Sequence, residues 1–512
     1  MLQKGTNHPA ELVQSMSEED VWLTIKKLGT HDGISVLAKT TKDQLQYILD
    51  IELWRRDKFM PEQALEWLSL LKECGDEKII QWVHETDIDA VVLAFKEFVI
   101  VQKKESQDDD PMEKEWPGPF PPSTMDGVYW FQCLAEASDP VIRPILESIA
   151  RNDHMFFMQL CEAVMAELKS NLVESAFSWR TKRLVEKGFA PIEEAIEVYK
   201  FFNEHQIKTL PKRGATVFKE TPPKKPQLLA IGGEFYPTLT LAMAGLKDNP
   251  LIGDIALEMA TLANKVLMAD GRLIMPETVE SSLKKVMGYI NIGLEHLSGA
   301  DPHKAGQTLC ERWCLHLFQT GFSLIARLRQ NARKFIAAGY DISLLDETSA
   351  CKIEGILRKR PLYFDHDFKD FKDTNEVRDV QQELERALYL GRMFKDVFKL
   401  TPNEIKDATG ENMRFDQVLT TIWAKGTATN NYKFAPLTEK ELKTLLKKGL
   451  SRDFSKWLIE RQPNISTEEE KYCRAFIEDC LRKFSDEFSG FSKGDKIDWR
   501  FVQTVWIVPR AD

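Results

Sequence analysis

Ser17-Glu18-Glu19-Asp20-Val21-Trp22-Leu23-Thr24-Ile25-Lys26-Lys27-Leu28-Gly29 sets the pattern for the chain. Val21, Ile25 and Leu28 recur at i, i+4 and i+7, which puts them on one face of an α-helix. Ser17, with Asp20 three residues on, caps that helix in a variant of the capping box in which Asp replaces the usual Glu. Amphipathic stretches of the same kind follow at Asp43 to Leu53, Pro61 to Cys74, Glu77 to Glu85 and Asp87 to Val101, and Pro61 suits a first helical turn, where no N–H is needed. The turns Gly29 to Gly33 and Gly75-Asp76 are short, so consecutive helices must lie side by side as hairpins. Residues 1–101 are therefore expected to form a stack of helical hairpins, armadillo- or solenoid-like in shape, without a fixed repeat in sequence.

Residues 102–126 break the pattern. They carry Asp108-Asp109-Asp110 and five prolines between Pro111 and Pro122, a density that predicts an extended, solvated linker. Helical hairpins resume over 127–207, at Asp139 to Ala150, Asp153 to Lys169, Val173 to Lys187 and Pro191 to Asn203, with Gly188 as a left-handed C-cap. A second linker, 208–226, sets Lys208, Lys212, Arg213, Lys219, Lys224 and Lys225 against the single acid Glu220. Residues 227–512 read as a larger helical-bundle domain. Its long periodic runs are Leu251 to Met268, Thr278 to Leu297, His303 to Ala338 and Glu376 to Val397, followed by shorter ones at Phe415 to Trp423, Glu439 to Lys448 and Glu468 to Phe488. The tail, Ile497 to Pro509, is the best strand candidate. The fold class expected is all-α.

Composition bounds the function. With 43% hydrophobic and 29% charged residues among 512, the chain has ordinary globular usage. The longest central stretch free of Asp, Glu, Lys and Arg, Trp313 to Ala326, is shorter than the roughly 18–20 apolar residues of a bilayer span, so no membrane span is expected. Met1 to Val13 lacks the apolar core of a secretion signal, and eight scattered cysteines without a CxxC pair read as reduced thiols. A cytoplasmic location is the expectation. A net charge of −10 argues against general nucleic-acid binding.

Two stretches carry a resemblance. Glu18-Glu19-Asp20-Val21 through Trp54 to Pro61-Glu62-Gln63-Ala64-Leu65-Glu66-Trp67-Leu68, together with Trp179-Arg180, Arg183-Leu184, Gly188-Phe189, Pro191 and Glu194-Ala195, resemble an uncharacterised family of bacterial cytoplasmic proteins, a domain of unknown function covering most of such chains. That resemblance implies no assigned activity. In helix length and turn spacing the first hundred residues are also similar to the armadillo-like arrays of magnesium-channel cytoplasmic domains and of the flagellar motor-switch protein, which implies a fold and not a function.

Several clusters bear on chemistry. Asp365-His366-Asp367 with Asp370 and Asp373 is the densest set of oxygen and nitrogen ligands and would suit a hard or borderline cation. The aromatics interleaved with it instead suggest a loop or short helix pinned by aromatics with its acidic face in water, so no metal is expected. Cys310 and Cys314 at i, i+4, near His316, read as buried apolar cysteines on a helix. Met268 to Glu277 reads as a turn, and Gly232-Gly233 as a tight bend. Arg180 and Arg183 would converge with Glu194 and Tyr199 across the Gly188 turn, either gripping an anion or locking the hairpin with ion pairs. Lys212, Arg213, Lys224 and Lys225 are the remaining interaction candidates.

No GxSxG, HExxH or protease-type Cys and His arrangement is present. No cofactor is expected, and catalysis is the less favoured reading. The leading expectation is a scaffold or adaptor that binds a protein partner through a concave helical surface. The alternatives are an enzyme or small-ligand protein with a site in the C-terminal domain, and nucleic-acid binding through the basic linker.

Overall fold

A computed structural model describes residues 9–106, 108–213, 236–246, 249–272, 274–299, 301–410, 413–489 and 502–507. Among them are 24 α-helices and only short strands, so the protein is all-α with minor sheet. The chain divides into two compact units. The first comprises residues up to Val198 together with Leu257–Leu283, and the second comprises Tyr199–Ala256 together with everything from Lys284 on.

The first unit begins as its sequence dictates. Ser17 Oγ accepts the Asp20 N–H at 3.1 Å to start the helix Glu18–Leu28. Thr41 and Gln44 form a full capping box at the head of Lys42–Glu52. The Gln44 amide also donates to the Val13 and Met16 carbonyls, both at 2.9 Å, and so ties the first turns to the stack. Pro61–Glu73, Asp76–Glu85 and Ile88–Phe98 follow as successive packed helices.

The expected linker at 102–126 is instead part of a sheet. Val99–Lys103 continues directly from the last helix and pairs antiparallel with Tyr129–Cys133, from Val99 opposite Cys133 to Lys103 opposite Tyr129. Ser123–Thr124 adds a short strand on the other side. The prolines shape the excursion between the strands. Trp116 Nε1 donates to the Pro111 carbonyl at 2.8 Å, and the Gly118 N–H donates to the Gln132 side chain at 2.5 Å. Gly118 is required because a β-carbon there would collide with the Cys133 carbonyl. One hydrophobic core runs from Val13 through Phe131 and Phe157 to Phe189, so the boundaries expected at 101 and 127 do not separate two bodies. Asp139–Asn152, His154–Ala166 and Lys169–Glu186 follow, and Leu257–Leu283 also belongs to this unit; after Gly188 only the short helix Ile192–Ala195 and a 3₁₀ turn form where one longer helix was expected.

In the second unit the helix Cys314–Ala337 packs on Thr374–Val397, which in turn meets Thr467–Phe488. Two glycines set its closest approach. A β-carbon on Gly293 would strike the Leu317 carbonyl, and one on Gly321 would strike the Tyr289 carbonyl. The single helix expected over 303–338 is broken, because Arg312 and Trp313 are extended between Pro302–Glu311 and Cys314–Ala337. The break exposes backbone that neighbouring chain uses. The Arg312 guanidinium donates to the Leu210 carbonyl, and the Arg213 N–H donates to the Glu311 carbonyl at 2.7 Å. Of the expected C-terminal strand, residues 502–507 are described, and they make a single parallel bridge, Ile507 with Leu437.

Candidate functional site

The first unit holds a cleft walled by arginines. One wall is the hairpin Trp54-Arg55-Arg56-Asp57-Lys58-Phe59, in which Trp54 pairs with Phe59 and their rings meet edge-on at 5.5 Å. Its two-residue turn puts Arg56 in the left-handed region, φ 61°, a conformation uncommon for a non-glycine residue. The helix Lys169–Glu186 adds Phe177, Arg180, Thr181 and Leu184, the segment after Gly188 adds Phe189 to Glu193, and a helix–helix turn adds Met268, Gly271, Arg272 and Ile274. The throat admits water-sized atoms over about 50 Å³, and the space between the walls, open mouth included, is about 690 Å³.

Arg180, Arg56 and Arg272 are each held by neutral acceptors. Arg180 Nε donates to the Asp50 carbonyl at 2.6 Å, Nη1 donates to the Arg56 carbonyl at 3.4 Å, and the guanidinium lies 5.9 Å from the Trp54 ring centre. Burial pushes Arg180 down to about 10 against the pull of Asp50, which leaves it a cation at neutral pH. Arg56 Nη2 reaches the Asp270 carbonyl at 3.3 Å. Gly271, at φ 63°, leaves room for that guanidinium, since a β-carbon there would fall on it. Arg272 Nη1 donates to Ser281 Oγ at 2.8 Å. Among the described residues no ion pair neutralises Arg55, Arg56, Arg180 or Arg272, and Glu193 is the only acid in the lining. Four cations around an apolar floor can hold an anion and shield its apolar body.

Of the residues singled out from sequence, Arg180 lies in this cleft and Arg183 does not. Arg183 instead forks onto Asp50, Nε to Oδ2 at 2.6 Å and Nη2 to Oδ1 at 2.8 Å, and reaches Asp87 at 3.1 Å. Burial opposes its charge, but Asp50 and Asp87 hold its pKa above the ordinary value. The expected partner Glu194 pairs with Lys265. Lys212 pairs with Glu311 at 2.6 Å, and Arg213 stacks on Trp313 at 4.6 Å. Lys224, Lys225 and Gly232-Gly233 lie outside the described residues.

The acidic cluster is dispersed. His366 sits at a hairpin tip with φ 64° and its side chain is 97% exposed, while Asp365 pairs with Lys369 at 3.0 Å and Asp367 faces Asp365 across the strands. Asp373 caps the helix Thr374–Val397, and Asp370 turns inward to Lys285 at 3.5 Å. Cys314 is buried at the start of its helix, whereas Cys310 ends the preceding one, so the i, i+4 face is lost. Among the described residues no group of three or more His, Cys, Asp or Glu side chains is placed to hold a metal ion.

Arg55, Arg56 and Arg272 escaped the sequence reading. The signal for the first two was the hairpin pattern of Trp54 and Phe59 flanking a charged turn, while Arg272 had none. Fold and cleft together define a helical protein with an arginine-walled cleft. The chain belongs to a family of unknown function, DUF6178, whose profile matches residues 5–508. No curated protein and no solved structure matches it. Among the described residues no helix is long and apolar enough to cross a membrane.

Proposed function

We propose that the protein is a cytoplasmic ligand-binding protein and that its ligand is a small organic anion seated in the cleft of the first unit. The observation that carries this reading is the ring of Arg55, Arg56, Arg180 and Arg272, with no ion pair among the described residues, around Trp54, Phe177, Phe189 and Ile274. At roughly 10–15 Å³ per water-sized site, the throat takes only a handful of atoms, so the inserted apolar group is short and the anionic head stays at the arginine rim. Eight free cysteines are in keeping with a reducing compartment. Calorimetric titration with hexanoate, benzoate and the neutral hexanamide tests the reading. Binding of the acids and not of the amide, lost in Arg55→Gln/Arg272→Gln, is the expected result. Equal binding of acid and amide, or of acid to wild type and variant, overturns it.

A second reading, an adaptor for a protein partner, draws on the outer side of the helix Lys169–Glu186. Trp179 is 51% exposed there, with Val185 at 45% and Leu168 just before the helix at 65%. Large apolar side chains left in water at this density favour docking. Capture of a partner that Trp179→Ser releases, without loss of fold, is its test.

A further inference from the structure

The second unit gathers positive charge on two neighbouring segments. Arg329 and Arg333 lie one turn apart on the helix Cys314–Ala337, and Arg358-Lys359-Arg360 follows the helix Glu347–Leu357. Arg329 joins the two segments, since its Nη1 donates to the Lys359 carbonyl at 3.3 Å. Its Nε is buried with no hydrogen-bond partner among the described residues. Among the described residues, no ion pair involves Arg329, Arg333 or Lys359. Neighbouring cations are matched individually: Arg358 has Glu354 at 2.9 Å, and Arg327 has Glu204. Burial, and then the charges of Arg333 and Arg360, hold the Arg329 pKa below its ordinary value. Like charges brought together beside an unsatisfied buried donor are a cost to folding that an oxyanion would relieve.

We propose that Arg329, Arg333 and Lys359, with Arg360 beside them, bind the phosphate group of a small phosphorylated molecule. A phosphate dianion offers several acceptor oxygens to guanidinium forks and an ammonium at once, which a single carboxylate does not. A nucleic acid suits the site less well. Strand binding needs a groove of successive cations with open aromatic faces for the bases, and here guanidinium groups already lie on the aromatic rings: Arg360 at 3.8 Å over Tyr199, and Arg358 at 3.6 Å over Phe368.

The test is the thermal melt of the full chain at fixed ionic strength with pyrophosphate, inorganic phosphate or poly(U). Above saturation, a specific ligand raises the melting temperature by roughly 2–6 °C for each tenfold increase in concentration. That rise is expected with pyrophosphate, reduced in Arg333→Gln and abolished in Arg329→Gln/Arg333→Gln. Arg333 is exposed, so its single variant keeps the fold and the comparison stands even if the double variant is unstable. Arg272→Gln, in the other unit, should leave the rise unchanged. No rise in wild type, an equal rise in Arg333→Gln, or loss of the rise in Arg272→Gln overturns the proposal. A response to poly(U) without one to pyrophosphate overturns it in favour of a nucleic acid.

Discussion

Replacing Arg183 by Met should destabilise the first unit by about 3–5 kcal/mol, the usual cost of removing one partner of a buried ion pair. The carboxylates it serves, Asp50 and Asp87, are each only 5% exposed at their side chains. Without the guanidinium, Asp50 keeps the Gln46 amide at 3.0 Å, and Asp87 keeps its cap on the Asp89 N–H at 3.1 Å. Arg180 remains nearby, but its Nε is committed to the Asp50 carbonyl. Partial compensation places the expected loss near the lower end, about 3 kcal/mol, or about 6–12 °C in melting temperature. Hydrogen exchange on peptides covering 42–52 and 169–186 would localise the loss to the two helices. A pH effect follows with a definite sign. Burial already raises the Asp50 pKa in the wild type against the pull of Arg183, Gln46 and Arg180, and in Arg183→Met only the last two still oppose it, so the folded-state value rises further above the unfolded one. The penalty is complete only above that raised value and fades as pH falls through it. Asp50→Asn in the same background should recover much of the loss. A drop of less than 1 kcal/mol in the single variant, or no recovery in the double, would refute the view that this fork holds the helices around the cleft.

Gly271→Ala should cost about 1–2 kcal/mol because φ is 63° there, and it should weaken anion binding by displacing Arg56; an unchanged affinity for the cleft ligand would count against Arg56 as a binding residue. Gly321→Ala should lower stability by about 1–3 kcal/mol by forcing its helix off the Tyr289 carbonyl, which a melt of the variant checks directly. Lys78, 3% exposed and bonded to Thr40 and Gln81, is pushed by burial from 10.5 down to about 8. Its charge is therefore penalised in full below pH 8, and the penalty is lost as pH rises from about 8 to 10.5. The stability of wild type relative to Lys78→Met should increase across that window by up to about 3 kcal/mol, and a flat difference between the two denaturation profiles would contradict this.

Local chemistry was legible in the sequence, whereas partnership across the fold was not. Ser17 starts a helix because a side-chain oxygen meets an N–H three residues away, a relation that needs no tertiary contact. The proline-rich stretch misled because proline density reports a stiff, non-helical backbone, and such a backbone serves a solvated linker and the approach to a short strand equally well. The break at Arg312 is invisible locally, since acceptors and donors on distant chain decide it. The same limit governs the candidate site. Arg180 and Arg183 are about 60° apart around one helix, close enough to suggest a joint grip on one ligand. What separates their roles is Asp50, 133 positions from Arg183. Its carboxylate takes the Arg183 fork and leaves Arg180 only a carbonyl, so the more buried guanidinium is the one that keeps its charge available to the cleft.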